Sequence, residues 1–146
     1  MVGLDTTVLV AHELSGTVNH ERVRAVVAKT AASEETRFAI APQVVHEFLH
    51  VATDPRRFET PLTFEEASRR AAFWWNAAET THSAPDDRAM ETFFAWMASY
   101  RLGRKRILDA ALAATYHVNG IRRLATANPD DFAVFRVFTF EEWAVA

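Results

Sequence analysis

Three acidic residues lie far apart along the chain, and each stands among apolar neighbours: Asp5, Glu47 and Asp109. An unpaired buried charge is expensive to desolvate, so each carboxylate either faces solvent or meets something positive. Carboxylate oxygens in a chain without cysteine suit Mg²⁺ or Mn²⁺ better than zinc. A metal held in this way would activate water for phosphodiester cleavage. On pattern alone, three unrelated acids near helix ends remain an equal alternative.

A second arrangement uses the same glutamate. Residues 46–50 spell His-Glu-Phe-Leu-His. On a helix, His46 and His50 would lie on one face and chelate zinc, while Glu47 would activate water as in metallopeptidases. Such a site needs a further ligand. The candidates downstream are Glu65, Glu66 and His82. This interpretation leaves the other two acids unexplained, and we keep it as the alternative hypothesis.

Composition limits the remaining classes. The chain has 146 residues, and we expect residues 1–146 to form a single domain. Hydrophobic residues make up 49% and charged residues 24%, which excludes intrinsic disorder. The absence of cysteine excludes disulfide scaffolds, iron–sulfur clusters and thiol nucleophiles. No apolar run approaches about 18 residues and no signal peptide is visible, so we expect a cytoplasmic protein without membrane association.

Charge is distributed unevenly along the chain. The formal net charge is −3, yet the segment 101–123 is basic. It includes Arg104, Lys105 and Arg106, which come shortly before Asp109. A basic stretch on a mildly acidic protein can bind a polyanion locally, or it can form an ordinary solvated surface. Both interpretations stay open at this point.

The elements that must position these residues alternate between strands and helices. Short apolar runs predict strands at residues 2–4, 37–41, 81–84, 123–126 and 135–138. Helical spacing fills the intervals, including a helix from a Thr63–Glu66 capping box to about residue 79. An Ala-rich helix runs from residue 107 to about 118, and Gly120 ends it. This alternation predicts a mostly parallel sheet covered on both faces, whose ligands bind beyond the carboxyl ends of the strands.

Four segments, taken in order, resemble the PIN domain and, more narrowly, the VapC-type ribonuclease toxins of toxin–antitoxin pairs. They are residues 3–9 (GLDTTVL), 42–48 (PQVVHEF), 107–115 (ILDAALAAT) and 124–132 (LATANPDDF). The resemblance implies a three-layer α/β/α sandwich with a central, mostly parallel sheet. It also implies an Mg²⁺- or Mn²⁺-dependent endoribonuclease that hydrolyses RNA with a metal-activated water.

The resemblance also assigns roles to residues. Asp5, Glu47 and Asp109 match the family's metal-site acids. The family's fourth metal position corresponds to Asn128, where many members have aspartate, so we expect Asp131 to supply the missing charge.

Other residues would support these acids. Thr6 and Thr126 match hydroxyl positions that steady the acids or a water. Arg104, Lys105 and Arg106 would hold RNA phosphates beside the metal and position the substrate rather than specify it.

Partners follow from the same resemblance. We expect an RNA substrate, a homodimer, and a cognate VapB-type antitoxin that inserts a segment into the acidic groove. The amphipathic helices at 42–53 and 63–79 would form the receiving groove. A catalytically inactive RNA-binding module of the same fold is a further alternative, because Asn128 departs from the family pattern.

Overall fold

The structure is a computed structural model that describes residues 1–143. The strands in chain order are β1 Val2–Leu4, β2 Phe38–Ile40, β3 Thr80–His82, β4 Arg123–Ala125 and β5 Thr139–Glu141. The helices are α1 Thr6–Glu13, α2 His20–Ala31, α3 Pro42–Ala52, α4 Phe64–Asn76, α5 Asp87–Ser99, α6 Ile107–Val118 and α7 Asp130–Ala133. A short 3₁₀ turn, Arg104–Arg106, precedes α6.

The strands form one sheet in the order β3-β2-β1-β4-β5, and every neighbouring pair is parallel. The predicted α/β fold is therefore confirmed, with a sheet that is parallel throughout its described strands. From the central strand β1 the chain first builds outward on one side and later returns to the other side. The order reverses between β1 and β4, and a crevice opens at such a point beyond the strand carboxyl ends.

The helices pack in two groups that flank the sheet. In the first group α1 contacts α2 and α3, and α3 contacts α4; in the second, α6 contacts α5 and α7. None of the described helices combines the length and apolar character that crossing a bilayer requires. The predicted extent of the domain, 1–146, includes three residues outside the described ones.

Close packing fixes α6 against the middle of the sheet. A Cβ atom on Gly3 would lie 2.9 Å from Leu124 Cδ2 and 3.1 Å from Tyr116 Cδ2, so any larger residue at this position in β1 would force these packed side chains to shift. The Tyr116 hydroxyl lies 2.6 Å from the carbonyl oxygen of Leu4 and 3.0 Å from that of Ala39. It can donate its proton to either one, and it therefore connects α6 to the ends of β1 and β2.

The prediction for the last strand is wrong. Residues 135–138 were expected to be extended, but β5 is Thr139–Glu141, which pairs with β4. Phe135 is instead buried against α5, where its ring stacks on Trp96 with centroids 4.7 Å apart. Arg136 has a φ of 57°, which breaks any strand through this segment.

Two boundaries also differ. Helix α4 ends at Asn76 rather than near residue 79. Strand β3 covers Thr80–His82 rather than 81–84. The capping box at the start of α4 is present, because the Glu66 backbone N–H donates to the Thr63 hydroxyl at 3.2 Å.

Candidate active site

Asp5 lies at the point where the strand order reverses. It follows β1 directly, and its backbone N–H donates to the carbonyl of Ala125 at the end of β4 at 3.0 Å. Its Oδ2 atom accepts hydrogen bonds from the hydroxyls of Thr126 at 2.7 Å and Thr7 at 2.9 Å. Asp5 is only 8% exposed. Since the pairing of β1 with β4 holds the ends of both strands, the Asp5 carboxylate is fixed at the edge of the sheet where the strands have their carboxyl ends.

Burial raises the pKa of the Asp5 carboxyl above its ordinary value, although the hydrogen bonds from Thr126 and Thr7 act in the opposite direction. Hydroxyl donors therefore do not compensate fully for the lost hydration. A positive charge placed beside this buried carboxyl would favour its ionised form and lower its pKa.

Two threonines tie the loop after β4 to the start of α1. The Thr7 hydroxyl, besides donating to Asp5, accepts from the backbone N–H of Ala127 at 2.9 Å. The Thr126 hydroxyl accepts from the N–H of Asn128 at 3.1 Å. The sequence predicts Thr6 and Thr126 as supporting hydroxyls. Thr7 was not predicted, although its position two residues after Asp5 was the available signal.

Glu47 reaches the same region from the second turn of α3. Its Oε2 atom accepts a hydrogen bond from the Thr6 hydroxyl at 3.0 Å. Partial burial raises the pKa of Glu47, and the negative charge of Asp5 raises it further. The Thr6 hydrogen bond and the positive charge of Arg57 only reduce this rise. Glu47 and Asp5 therefore influence each other directly.

Asp109 completes the group from the first turn of α6. Burial raises its pKa to about 6, and the negative charges of Asp5, Asp131 and Glu47 contribute to the rise. The Arg106 guanidinium opposes it, with Nε 3.8 Å from Asp109 Oδ2. Four carboxylates from distant parts of the sequence thus share one electrostatic environment.

The structure separates the two candidates for the fourth metal position. Asn128 is exposed, and its backbone carbonyl accepts from the N–H of Asp131 at 3.1 Å. Asp131 is half-buried, and its charge acts on Asp109. Asp131 therefore shares the electrostatic environment of Asp109, and its role at the fourth metal position stays a prediction.

Arg106 turns toward the acids, whereas its two basic neighbours do not. Its guanidinium donates to the backbone carbonyl of Asp131, while its Nε is buried without a hydrogen-bond partner. Arg104 and Lys105 are exposed in the 3₁₀ turn. A cation beside Asp109 offsets part of the negative charge but leaves the pKa of that carboxyl raised.

The donor set fits a hard divalent cation. It consists of carboxylate oxygens, which Mg²⁺ and Mn²⁺ prefer. Among residues 1–143, no three His, Asp or Glu side chains stand close enough together to enclose an ion as they are positioned here. Repulsion between like charges opposes a closer approach of the acids. Neutralising that repulsion is what a bound cation would do.

The zinc arrangement finds no support in the structure. His46 and His50 are both exposed on α3. The proposed third ligand His82 instead stacks on the Trp75 ring at 3.6 Å, with its Nε2 2.7 Å from the Trp75 carbonyl oxygen. Glu66, another candidate, lies beside Thr63 and Arg70. No closed set of zinc ligands forms within the described part of the chain.

Comparison with known structures identifies similar folds. The toxin VapC20 of Mycobacterium tuberculosis, described as cleaving the sarcin-ricin loop, superposes with a TM-score of 0.65 at 17% identity, over 85% of this chain and 87% of that one. VapBC-1 from nontypeable Haemophilus influenzae gives a TM-score of 0.68 at 14% identity, over 98% of both chains. A toxin–antitoxin complex from Klebsiella pneumoniae gives 0.62 at 19%, over 95% of this chain and 96% of that one.

The sequence comparisons are more specific about the family. No match was found among curated proteins. The model of the PIN domain family matches residues 2–137, a span that contains all the acids described above. The chain therefore belongs to the PIN domain family.

Proposed function

We propose that this chain is a divalent-metal-dependent endoribonuclease and the toxin of a toxin–antitoxin pair. The observation that carries the proposal is the convergence of Asp5, Glu47 and Asp109 beyond the strand ends, where burial, followed by the charges of Asp5, Asp131 and Glu47, raises the pKa of Asp109 to about 6. Membership in the PIN domain family and the likeness to VapC folds support it.

In this proposal Asp5, Glu47 and Asp109 hold Mg²⁺ or Mn²⁺, and Asp131 takes the fourth position ahead of Asn128. A bound divalent cation supplies a lowered pKa for an attacking water and neutralises charge on the phosphate. The chain's own contribution is orientation: the hydroxyls of Thr7 and Thr126 fix one oxygen of Asp5, and Thr6 fixes one of Glu47.

The basic turn before α6 is proposed to hold the RNA backbone. Arg104 and Lys105 are exposed and close in sequence to Asp109, which suits contact with phosphates on either side of the cleaved bond. Arg106 is part of the same predicted set, but its guanidinium already engages the Asp131 carbonyl. We expect it to contribute to RNA binding less than Arg104 does.

An antitoxin partner is proposed for the groove between α3 and α4. A cavity of about 310 Å³ lies there, lined by apolar residues that include Val45, Leu49 and Trp75. A partner helix in this groove would bury its apolar lining, and a cationic segment of the same partner would pair with the acids.

A homodimer is also proposed, for which Met90 and Phe94 on α5 offer exposed apolar area. The cytoplasm is the proposed location, since an RNA substrate would be met there.

The test is to map RNA ends after brief induction of the chain in cells, with the Asp5→Ala variant as control. New 5′ ends that appear only with the wild type, and cleavage of the same RNA by purified protein with Mg²⁺, are expected. Equal end patterns for both proteins, or RNA binding without metal-dependent cleavage, would instead favour the inactive binding module.

A further inference from the structure

A second cavity opens beside the acids, on a different side of α3 from the groove between α3 and α4. It has a volume of about 260 Å³ and is walled by α1, α3 and the turn between α1 and α2. Thr6 and Glu47 form part of its wall. Since the same two residues belong to the acid cluster, whatever fills the cavity lies next to the metal ligands.

We propose that this cavity binds the unpaired nucleobase of the nucleotide beside the cleaved phosphate, and that Arg57 holds that nucleotide's backbone phosphate. The inference rests on the proposed ribonuclease function and deepens it. It adds a base-binding cavity to the metal ligands and the basic turn, which by themselves would contact only the RNA phosphates.

The shape and lining of the cavity suit a flat ring. Val10 and Val51 provide apolar walls, and Val18, which is 98% exposed, stands at the rim. The volume falls just below the roughly 300–1,000 Å³ typical of pockets for drug-sized ligands, so it suits a single base. RNA-binding sites commonly receive bases that are unstacked from single-stranded loops.

An arginine in the wall of the cavity offers a contact for the backbone phosphate of a nucleotide. Arg57 lines the cavity, and its side chain is 63% exposed. Its Nε lies 3.7 Å from Asp54 Oδ2, which is longer than a hydrogen bond. Its charge acts on Glu47, so the guanidinium lies near the acids. A guanidinium can hold a phosphate through charge-assisted hydrogen bonds.

The neighbouring residue offers a matched control. Arg56 carries the same charge, contacts the same Asp54, with Nε 3.4 Å from Oδ1, and is 86% exposed, but it does not line the cavity. Replacing either arginine by glutamine removes one positive charge from the same turn. A difference between the two variants therefore reports on position rather than on net charge.

The first experiment measures binding of a fluorescein-labelled single-stranded RNA of mixed sequence by anisotropy, in an Asp5→Asn background that does not consume it. Arg57→Gln is expected to reduce the slope of log affinity against log salt by about 0.7, the value for one phosphate contact on a single strand. Arg56→Gln is expected to leave slope and affinity unchanged. Equal slopes in the two variants overturn the inference.

The second experiment tests the base itself in the active protein. An RNA with an abasic nucleotide beside the mapped cleavage site should be cut about tenfold more slowly than the intact RNA, as for loss of a group from an apolar pocket. Val51→Phe, which fills the cavity, should abolish this discrimination. Wild-type protein that cuts both RNAs at one rate overturns the inference and leaves the ribonuclease proposal standing.

The outcomes separate the two proposals. If the wild type cleaves no RNA with Mg²⁺, the ribonuclease proposal fails, and the salt slopes alone decide whether the cavity binds RNA. If Arg57→Gln behaves like Arg56→Gln toward RNA but weakens capture of the co-expressed antitoxin, the cavity belongs to the protein partner and the inference is overturned.

Discussion

Replacing Asp109 by asparagine should stabilise the metal-free protein at neutral pH. The folded state raises the pKa of this carboxyl from 3.8 to about 6, because burial and the charges of Asp5 and Asp131 disfavour its ionised form. Folding therefore favours the protonated acid. The contribution of protonated Asp109 to the free energy of unfolding is fully present below pH 3.8 and is lost as the pH rises through about 6. Asparagine carries no charge and escapes this loss.

The size of the effect follows from the shift and the exposure. One pKa unit corresponds to about 1.4 kcal/mol, so the whole rise is equivalent to about 3 kcal/mol. The Asp109 side chain is 31% exposed, and solvent screening reduces this figure to about 1 kcal/mol. With an unfolding entropy of about 2.1 cal/mol/K per residue, 1 kcal/mol corresponds to a rise in Tm of about 3 °C for a chain of this length.

Thermal unfolding in EDTA at pH 8 and at pH 4 measures the difference. Asp109→Asn should unfold about 3 °C higher than the wild type at pH 8 and only slightly higher at pH 4. Adding Mg²⁺ should raise the Tm of the wild type more than that of the variant, because the ion binds the ionised acid.

Asp87→Asn is the matched control, since Asp87 is an exposed acid in the first turn of α5. It should lose stability slightly by giving up a favourable charge at a helix N-terminus. A lower Tm for Asp109→Asn in EDTA at pH 8 would refute the electrostatic reasoning.

Three further predictions concern the site and the packing behind it. Asp5→Asn should retain the wild-type circular dichroism spectrum and lose RNA cleavage in a gel assay; full activity would contradict its role as a metal ligand. Tyr116→Phe should reduce the free energy of unfolding in urea by about 1–3 kcal/mol, because buried backbone groups lose their partner; an unchanged midpoint would show that the hydroxyl is dispensable. Gly3→Ala should cost about 1–3 kcal/mol in the same assay by overpacking β1 against α6, and no loss would mean that Leu124 moves aside freely.

Local patterns were sufficient for the elements that carry the acids. The apolar run 2–4 ends at Asp5, so the position of this acid at the carboxyl edge follows from a parallel sheet alone. The Ala-rich segment gives α6 almost at its observed bounds, with Asp109 in its first turn. Spacing alone left undecided whether Glu47 joins Asp5 and Asp109, and the resemblance to the family predicted that it does.

Features that depend on tertiary contacts were not accessible in the same way. The segment 135–138 has the composition of a strand, and the packing of Phe135 on Trp96 and the positive φ of Arg136, which show that it is not one, appear only in the folded chain. The sequence shows that Arg106 is positive but not that its guanidinium turns toward Asp109. Arg57 was missed because its relation to Glu47 arises only when α3 and the following turn are folded.

The acids explain why a metal and a cationic partner segment would compete for one place. Burial raises the pKa values of Asp5, Glu47 and Asp109, and repulsion from neighbouring acids adds to the rise at Glu47 and Asp109, so the fold carries an uncompensated negative charge at the strand ends. Arg106 offsets part of it from within the chain and does not remove the rise at Asp109. The remaining negative charge can be neutralised by a divalent ion, which would make the site active. It can also be neutralised by an arginine or lysine from another protein, which would make the site inactive. In this view the same electrostatic strain that serves catalysis also provides the means of its inhibition.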